Sequence, residues 1–182
     1  MKPTIERPVI DEIYRHLTTR AKEMLVEKGH EVRPQFFLYK ADGTFLTAAP
    51  ENIVDKFFAS DGGKTLMRTA IGAILAGDAD PIAADIVAVI SEAWVATGSW
   101  LDDDQTFIAL QNGTLKVKDM DEKGEAIVVT IYTLEGTDMG FCPIITVEGG
   151  NRTVKMEPMV SQQGGDLSGR MVIKPTKFEV PR

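Results

Sequence analysis

The longest mostly apolar stretch of the chain runs from Ala84 to Thr97 and reads A-D-I-V-A-V-I-S-E-A-W-V-A-T. It constrains the fold more than any other segment, because a strand that is apolar on both faces has to be covered on both sides. Val, Ile and Trp favour β-strands, and Gly98 provides a natural end. We therefore predict a central strand over residues 82–97.

A helix is the alternative for the same stretch. Asp80 would cap such a helix and Pro81 would occupy its first position, which is a good start signal. The two interpretations differ in where they place two carboxylates. A helix brings Asp85 and Glu92 to one side, whereas a strand puts them on opposite faces. The density of β-branched residues leads us to favour the strand.

The segments before this stretch carry helix and hairpin signals. A stripe of apolar residues at helical spacing lies between Pro8 and Gly29, which suit a helix start and a helix stop. The run Phe36–Tyr39 followed by Asp42-Gly43 is typical of a hairpin. The pattern predicts a helix over 8–28, a hairpin over 35–47 and one or two helices between 50 and 77.

The segments after Trp100 change to strand signals. Asn112-Gly113 between two alternating runs predicts a type I′ hairpin, with Ile108, Leu110, Leu115 and Val117 on one side. Further strands are predicted over 126–134, 141–147, 153–157 and 170–173, with 136–140 as a break, 162–169 as a loop and 174–182 as an extended tail.

Helices that precede a run of strands indicate an α+β fold. We predict an N-terminal helix, a hairpin, one or two further helices and then a mainly antiparallel sheet of about six to eight strands in total. All of it is expected in a single domain over residues 1–182, with one layer of helices on one face of a curved sheet.

Charge and composition exclude several function classes. The 182 residues include 27 acidic and 20 basic side chains, whereas a phosphate backbone needs clustered Lys and Arg. No uncharged apolar run reaches the roughly 18 residues of a membrane span. Cys142 is the single cysteine, and His16 and His30 are the two histidines. We therefore expect no nucleic acid or membrane partner, no metal, no cofactor and a reducing, cytoplasmic setting.

Glu92 is the candidate catalytic residue. It stands two residues before Trp94 in an apolar run, and carboxylates in such surroundings are frequent at active sites. A general acid or base would need a partner, which the sequence does not indicate. The alternatives are a structural ion pair with a Lys or Arg, or a hydrogen bond to the backbone at a strand end. We expect one of these structural roles.

The segment Asp61–Thr65, which reads D-G-G-K-T, resembles the end of a phosphate-binding loop. The full pattern needs a glycine five residues before Gly63, and Phe58 stands at that position. It also needs a preceding strand, where a helix is predicted. We therefore interpret the segment as a helix start, with Asp61 or Thr65 as its cap.

The remaining polar candidates are assigned structural roles. The acidic turns at Asp102, Asp103 and Asp104 and at Asp119, Asp121 and Glu122 match no calcium-loop spacing and are expected to be solvated. Apolar neighbours indicate that Cys142 is a buried structural cysteine. His16 and His30 are expected to be exposed, and the loop Gln162–Asp166 is expected to be a connector.

Three short blocks, Phe36–Gly43, Ser91–Trp94 and Asp121–Val129, together resemble a group of hypothetical proteins of bacteria and phages. The chain departs from the pattern of that group at Lys118–Asp121, where the group has proline and serine. The hairpin around Asn112-Gly113 looks like an insertion. The resemblance implies one compact α+β domain of bacterial or phage origin, and it implies no activity.

These features lead to two hypotheses about function. The first is a non-catalytic, soluble protein-interaction or accessory domain that binds another protein or forms a homo-oligomer. The apolar side of the segment Ile108–Val117 is its expected contact surface. The alternative is a small hydrolase-like enzyme that uses Glu92 with a second carboxylate in a cleft.

Overall fold

A computed structural model describes residues 3–79, 83–96, 105, 108–109, 114–121 and 123–163, without the side chains of residues 95–96 and 160–163. The elements are, in chain order, α1 (Arg7–Glu27), β1 (Gln35–Tyr39), β2 (Phe45–Ala48), α2 (Glu51–Phe58), α3 (Asp61–Ala76), β3 (Ile86–Ala96), a 3-10 turn (Val117–Asp119), β4 (Lys123–Tyr132), β5 (Gly136–Thr146), β6 (Arg152–Val154) and β7 (Val160–Gln163).

The strands form a sheet in the order β2-β1-β3-β4-β5-β6, with β7 paired to β5. The pairs β1–β2, β1–β3, β4–β5, β5–β6 and β5–β7 are antiparallel. The predicted α+β class, with an N-terminal helix and a mainly antiparallel sheet, is confirmed. β3 lies in the middle of the sheet, as the apolar stretch indicated, and the helical alternative for that stretch is wrong.

α1 covers one face of the sheet. Its apolar stripe packs against alternate residues of the central strands, because side chains of a strand point to opposite faces in turn. Every second residue of β1, β3 and β4 faces α1. The core on this side of the sheet includes Leu17, Ala21, Phe37, Ile86, Ala88, Ile90, Ile127, Val129 and Ile131. The predicted helix over 8–28 is confirmed, with Gly29 in the left-handed conformation at its end.

α2 and α3 cover the opposite face of the sheet. The intervening residues of the strands point to α2 and α3. The buried residues of this second core are Phe36, Val54, Met67, Ile71, Leu75, Val87, Val89 and Tyr132. The prediction of one helical layer on one face is therefore wrong. The reason is that the strands are apolar on both faces, and each face needs its own cover to leave water.

The helix α3 ends at the predicted glycine, Gly77, but it is capped at its start by a residue that was not predicted. Ser60 is the N-cap and its hydroxyl accepts a hydrogen bond from the N–H of Gly63, so neither Asp61 nor Thr65 has the capping role. Gly77 ends the helix in the left-handed conformation at φ 83°, which glycine adopts without steric cost.

The segment 136–140 is part of β5, so the predicted break there is wrong. Gly140 stands in the strand because the ring of Tyr14 occupies the space that a Cβ would take. A glycine inside a strand often marks such a close approach. Here it lets α1 lie directly on the sheet.

The predicted hairpin around Asn112-Gly113 is wrong at the positions that the structure describes. Ile108 and Ala109 are helical, and Val117–Asp119 is a single 3-10 turn. Since β3 and β4 are direct neighbours, the sheet offers no place between them for an inserted hairpin. Residues 112 and 113 lie outside the described residues.

The chain divides into two compact units. The described residues up to 93 and from 125 to 163 belong to the first unit, and the second includes the described residues between 94 and 124. In the second unit, the ammonium of Lys123 lies 5.4 Å from the ring centre of Trp94. The ammonium also donates a hydrogen bond to the carbonyl of Lys118.

The C-terminal part of the chain corrects one further expectation. Gln162 and Gln163 belong to β7 rather than to a loop, because they pair with Thr137 and Gly136 of β5. The predicted strand over 170–173 and the tail over 174–182 lie outside the described residues. Among the helices that the structure describes, none is long and apolar enough to cross a membrane.

Candidate functional site

Glu92 has both carboxylate oxygens engaged. Its Oε1 accepts a hydrogen bond from Nη2 of Arg152 at 2.6 Å, and its Oε2 accepts one from the backbone N–H of Val32 at 3.2 Å. The backbone N–H of Glu92 in turn donates to the carbonyl of Val32 at 3.0 Å. Glu92 therefore joins β3 to the segment between α1 and β1.

A second carboxylate joins the same guanidinium. Nη2 of Arg152 also donates to Oε2 of Glu125 at 2.8 Å. The hydrogen bond with Glu92 raises the pKa of Arg152 above its ordinary value, and Glu125 adds to this effect. Three strands, β3, β4 and β6, are therefore tied by one charge cluster that carries two negative charges and one positive charge.

The charge cluster lies on the α1 side of the sheet. Each of its three side chains stands two positions along its strand from a residue of the α1-side core, so all three point to that face. The three core residues are Ile90, Ile127 and Val154. The cluster thus closes one end of the apolar core with paired charges, the condition under which buried charges are tolerated.

Asp85 lies at the start of β3, away from Glu92. It immediately precedes the strand, and its Oδ2 accepts a hydrogen bond from the backbone N–H of Ala41 at 3.0 Å. Lys40 donates to the carbonyl of Ala83 close by, at 2.9 Å. The structure therefore does not bring Asp85 and Glu92 together, and Asp85 fastens the tip of the β1–β2 hairpin.

A groove of about 410 Å³ runs between α1 and the β1–β2 hairpin. Its apolar lining consists of Val9, Ile13, Tyr39 and Phe45. The rings of Tyr39 and Phe45 meet edge to face, with their centres 5.7 Å apart. Because Phe45 is 54% exposed, one face of this aromatic pair is open to solvent.

The polar lining of the groove carries charges of both signs. Glu12, Arg15, His16 and Thr19 line it from α1, and Asp42 lines it from the hairpin tip. The backbone N–H of Thr44 donates to Asp42 at 2.9 Å and lowers the pKa of that carboxyl. His16 is exposed, as predicted, and within the described residues it makes no hydrogen bond or ion pair.

One outer edge of the sheet is β2. All four of its residues, Phe45–Ala48, are exposed, and β2 stands at the end of the strand order. The segment 43–50 reads G-T-F-L-T-A-A-P and contains no charged residue. β2 is therefore an open, uncharged strand edge, the kind of edge that proteins usually protect with charges or cover.

Cys142 is fully buried, as predicted. Its sulfur lies 3.1 Å from the hydroxyl of Tyr14, and that hydroxyl donates to the carbonyl of Glu157 at 2.6 Å. Burial raises the pKa of Tyr14 above its usual value, and the contact with Cys142 adds to this effect. The thiol is therefore part of a packed polar contact that holds the segment after β6 to α1.

Gly63 in the segment Asp61–Thr65 serves helix packing in this structure. The segment is the first turn of α3 and follows α2 rather than a strand. A Cβ at Gly63 would collide with the backbone carbonyl of Lys56 in the last turn of α2. The close approach of the two helices accounts for this glycine, without a phosphate.

The acidic turns are only partly described. Asp119 lies in the 3-10 turn and Asp121 follows it, both exposed, while Asp102–Asp104 and Glu122 lie outside the described residues. Across the residues that the structure describes, no group of three or more His, Cys, Asp or Glu side chains is placed to hold a metal ion.

Sequence reasoning missed two features of the molecule. Arg152 and Glu125 were not identified as partners of Glu92, since they lie 60 and 33 positions away along the chain and no local pattern connects them. The open edge at β2 was also missed. The uncharged run 43–50 was the available signal for it.

Comparisons with known proteins add nothing to this geometry. No protein family, no curated protein and no solved structure matches the chain. The function must therefore be argued from the residues themselves.

Proposed function

We propose that the protein is a non-catalytic interaction domain that forms a homodimer by pairing the β2 strands of two copies. The observation that carries this proposal is that β2 ends the strand order with all four residues exposed. An exposed strand edge binds another strand through its free backbone N–H and C=O groups. A two-fold axis would place two copies of β2 antiparallel, so that both contribute the same surface.

The backbone of β2 has groups available for such pairing. The N–H of Ala49 donates to the carbonyl of Phe36 at 3.0 Å, toward β1. Hydrogen-bonded and non-hydrogen-bonded positions alternate along an antiparallel pair, so the N–H and C=O of the preceding residue, Ala48, point away from β1. A strand added at the edge would receive these two groups.

Charge favours a second copy at this edge. The chain has a net charge of −7, so two copies repel each other over most of their surface. The uncharged segment 43–50 is a place where two acidic copies can meet without a like-charge contact. Leu46, at 38% exposure, supplies apolar area that such a contact would remove from water.

The contacts of Glu92 support the non-catalytic part of the proposal. Its oxygens are engaged by Arg152 and Val32, and it does not line the groove beside α1. The single buried cysteine agrees with a reducing, cytoplasmic setting, and the sequence blocks discussed above suggest a bacterial or phage source.

The test is the mass in solution of the wild type and of Leu46→Lys, measured by sedimentation velocity. The wild type is expected at twice the 20.0 kDa of one chain. Leu46→Lys places two like charges at the shared edge and should weaken the dimer by at least about tenfold. Leu66→Lys is the matched control, because Leu66 is an exposed leucine of α3 and the change should leave the dimer intact.

A second variant separates strand pairing from plain apolar contact. Ala48→Pro removes an N–H that points away from β1, a position where edge strands tolerate proline. It should weaken the dimer while circular dichroism stays unchanged. A wild type that remains at 20.0 kDa, or a dimer that neither variant weakens, would refute the proposal.

A further inference from the structure

We propose that the groove between α1 and the β1–β2 hairpin binds a small aromatic zwitterion of the α-amino acid class, for which L-phenylalanine is the representative. The groove of about 410 Å³ has the size of small-molecule sites, which begin at about 300 Å³. The proposal stands on the groove residues alone and does not depend on the dimer.

Aromatic side chains form one wall of the groove. Tyr39 is buried and Phe45 is half exposed, and their rings meet edge to face at 5.7 Å. The ring of Phe37 also lies 6.4 Å from that of Phe45. Aromatic rings prefer edge-to-face or offset arrangements with centres about 4.5–7 Å apart. The open side of Phe45 can therefore take a further ring, and burying that ring removes apolar area of both partners from water.

Charges of opposite sign are separated along the groove. Val9 and Gly43 line the groove together at the hairpin tip, where a Cβ built on Gly43 would lie only 3.1 Å from Cγ1 of Val9. Asp42 adjoins Gly43, and Glu12 stands on the next turn of α1 after Val9. Negative charge therefore gathers at this end of the groove, where it can receive an ammonium group.

Arg15 supplies positive charge one turn further along α1. Arg15 and His16 come three and four residues after Glu12, so their Cβ atoms lie on the same side of the helix, about 5–6 Å from that of Glu12. An ammonium and a carboxylate on one α-carbon can therefore reach the two groups of opposite charge together. Thr19, one further turn along, offers a hydroxyl to the carboxylate.

The charges that line the groove are available to a ligand. The ion pair of Arg15 with Glu12 is long, at 3.9 Å, and both side chains are 74% exposed, so little free energy opposes its exchange for a ligand. Asp42 keeps its charge because the N–H of Thr44 lowers its carboxyl pKa. Within the described part of the chain, His16 has no competing partner.

The test is a titration of the isotope-labelled full chain with L-phenylalanine, followed by amide chemical shifts. Saturable shifts confined to the residues of α1 and the hairpin that line the groove are expected. Three probes remove one feature each: L-alanine lacks the ring, phenethylamine lacks the carboxylate and 3-phenylpropanoate lacks the ammonium. Each should bind at least about tenfold more weakly, as expected for a lost charge-assisted contact or buried ring.

Two arginine variants complete the test. Arg15→Gln should weaken L-phenylalanine binding about tenfold, whereas Arg33→Gln, which changes an equally exposed arginine that does not line the groove, should leave it unchanged. Absence of shifts, shifts elsewhere, or equal binding of phenethylamine and L-phenylalanine would overturn the proposal. Because Leu46 does not line the groove, Leu46→Lys should bind L-phenylalanine like the wild type even where the dimer is lost.

Discussion

The packed centre of the protein and its β2 edge are built from similar apolar residues with opposite results. At the centre, Tyr14 lies on Gly140 of β5, with its hydroxyl bonded to Glu157. At the edge, Phe45 and Leu46 are equally apolar but largely exposed. The two regions differ in exposure because of their neighbours in the fold and not because of their composition. Strands at the centre have a strand on each side and helices on each face, whereas β2 has one neighbouring strand.

The two regions also treat charge differently. At the end of the α1-side core, two carboxylates share Arg152 within 2.6 and 2.8 Å. Around the groove beside β2, charges of both signs stand in solvent with one long ion pair between Glu12 and Arg15. Satisfied charges close a core, while loosely paired charges leave a surface free to bind. The predictions below probe this contrast.

The largest effect is expected for Gly140→Ala. The added Cβ would overlap the ring of Tyr14, and relief would require α1 to move away from the sheet. Overpacking of this kind costs about 3 kcal/mol. The measurement is the free energy of unfolding in urea.

Gly72→Ala is the matched control for Gly140→Ala. Gly72 lies inside α3, and a Cβ there would meet no atom within 4 Å. Its replacement should stabilise the protein by up to about 1 kcal/mol, because alanine is the better helix former. Equal effects of the two substitutions would mean that α1 does not lie on the sheet at Gly140.

A smaller loss is expected for Arg152→Met. The change leaves Glu92, whose side chain is 12% exposed, without its ionic partner, and hydrogen bonds to charged groups contribute about 2 kcal/mol. Arg33→Met is the matched control. It removes the ion pair between Arg33 and Glu51, and both of these side chains are about 70% exposed. It should cost less than about 0.5 kcal/mol. Similar unfolding free energies for both variants would show that the cluster behaves as a surface pair.

The smallest effect concerns pH. All three tyrosines, Tyr14, Tyr39 and Tyr132, are buried, and burial raises their pKa above the usual 10.0. Above pH 10 the unfolded chain therefore loses phenolic protons that the folded chain keeps. The stability that these groups contribute is complete below pH 10 and is lost as the pH rises, by up to about 1 kcal/mol per tyrosine over the first pH unit.

Tyr14→Phe isolates one of these contributions. Its unfolding free energy should fall less steeply than that of the wild type between pH 10 and pH 11, whatever constant cost the lost hydroxyl adds. Phenolate absorbance in the wild type should appear together with unfolding. Early, non-cooperative phenolate formation by three groups would contradict the burial of the tyrosines.

Much of the fold was predictable because its signals are local. The stripe between Ile10 and Leu25 and the stop at Gly29 define α1, and the β-branched density of 84–97 identifies β3. The hairpin predicted from Asn112-Gly113 was wrong because its formation depends on more than local signals. A hairpin turn is local, but its strands need a sheet to join, and β3 and β4 pair directly.

The candidate site was less predictable. Glu92 was correctly suspected of a structural ion pair, but its partner Arg152 is brought to it only by the folding of β5 and β6. Gly140 was interpreted as a break because its reason for being glycine, the ring of Tyr14, lies 126 positions away. Partners at such separations leave no periodic trace in the sequence.

By itself, the sequence determined the N-terminal helix, the central strand with its burial on both faces and the interior position of Cys142, because periodicity and composition act between neighbours along the chain. Only the tertiary structure decided which charges share Arg152, which strand stands at the edge and which helix face borders the groove. Those features arise from pairing and packing between distant segments, and the proposed interaction surfaces of the protein consist of them.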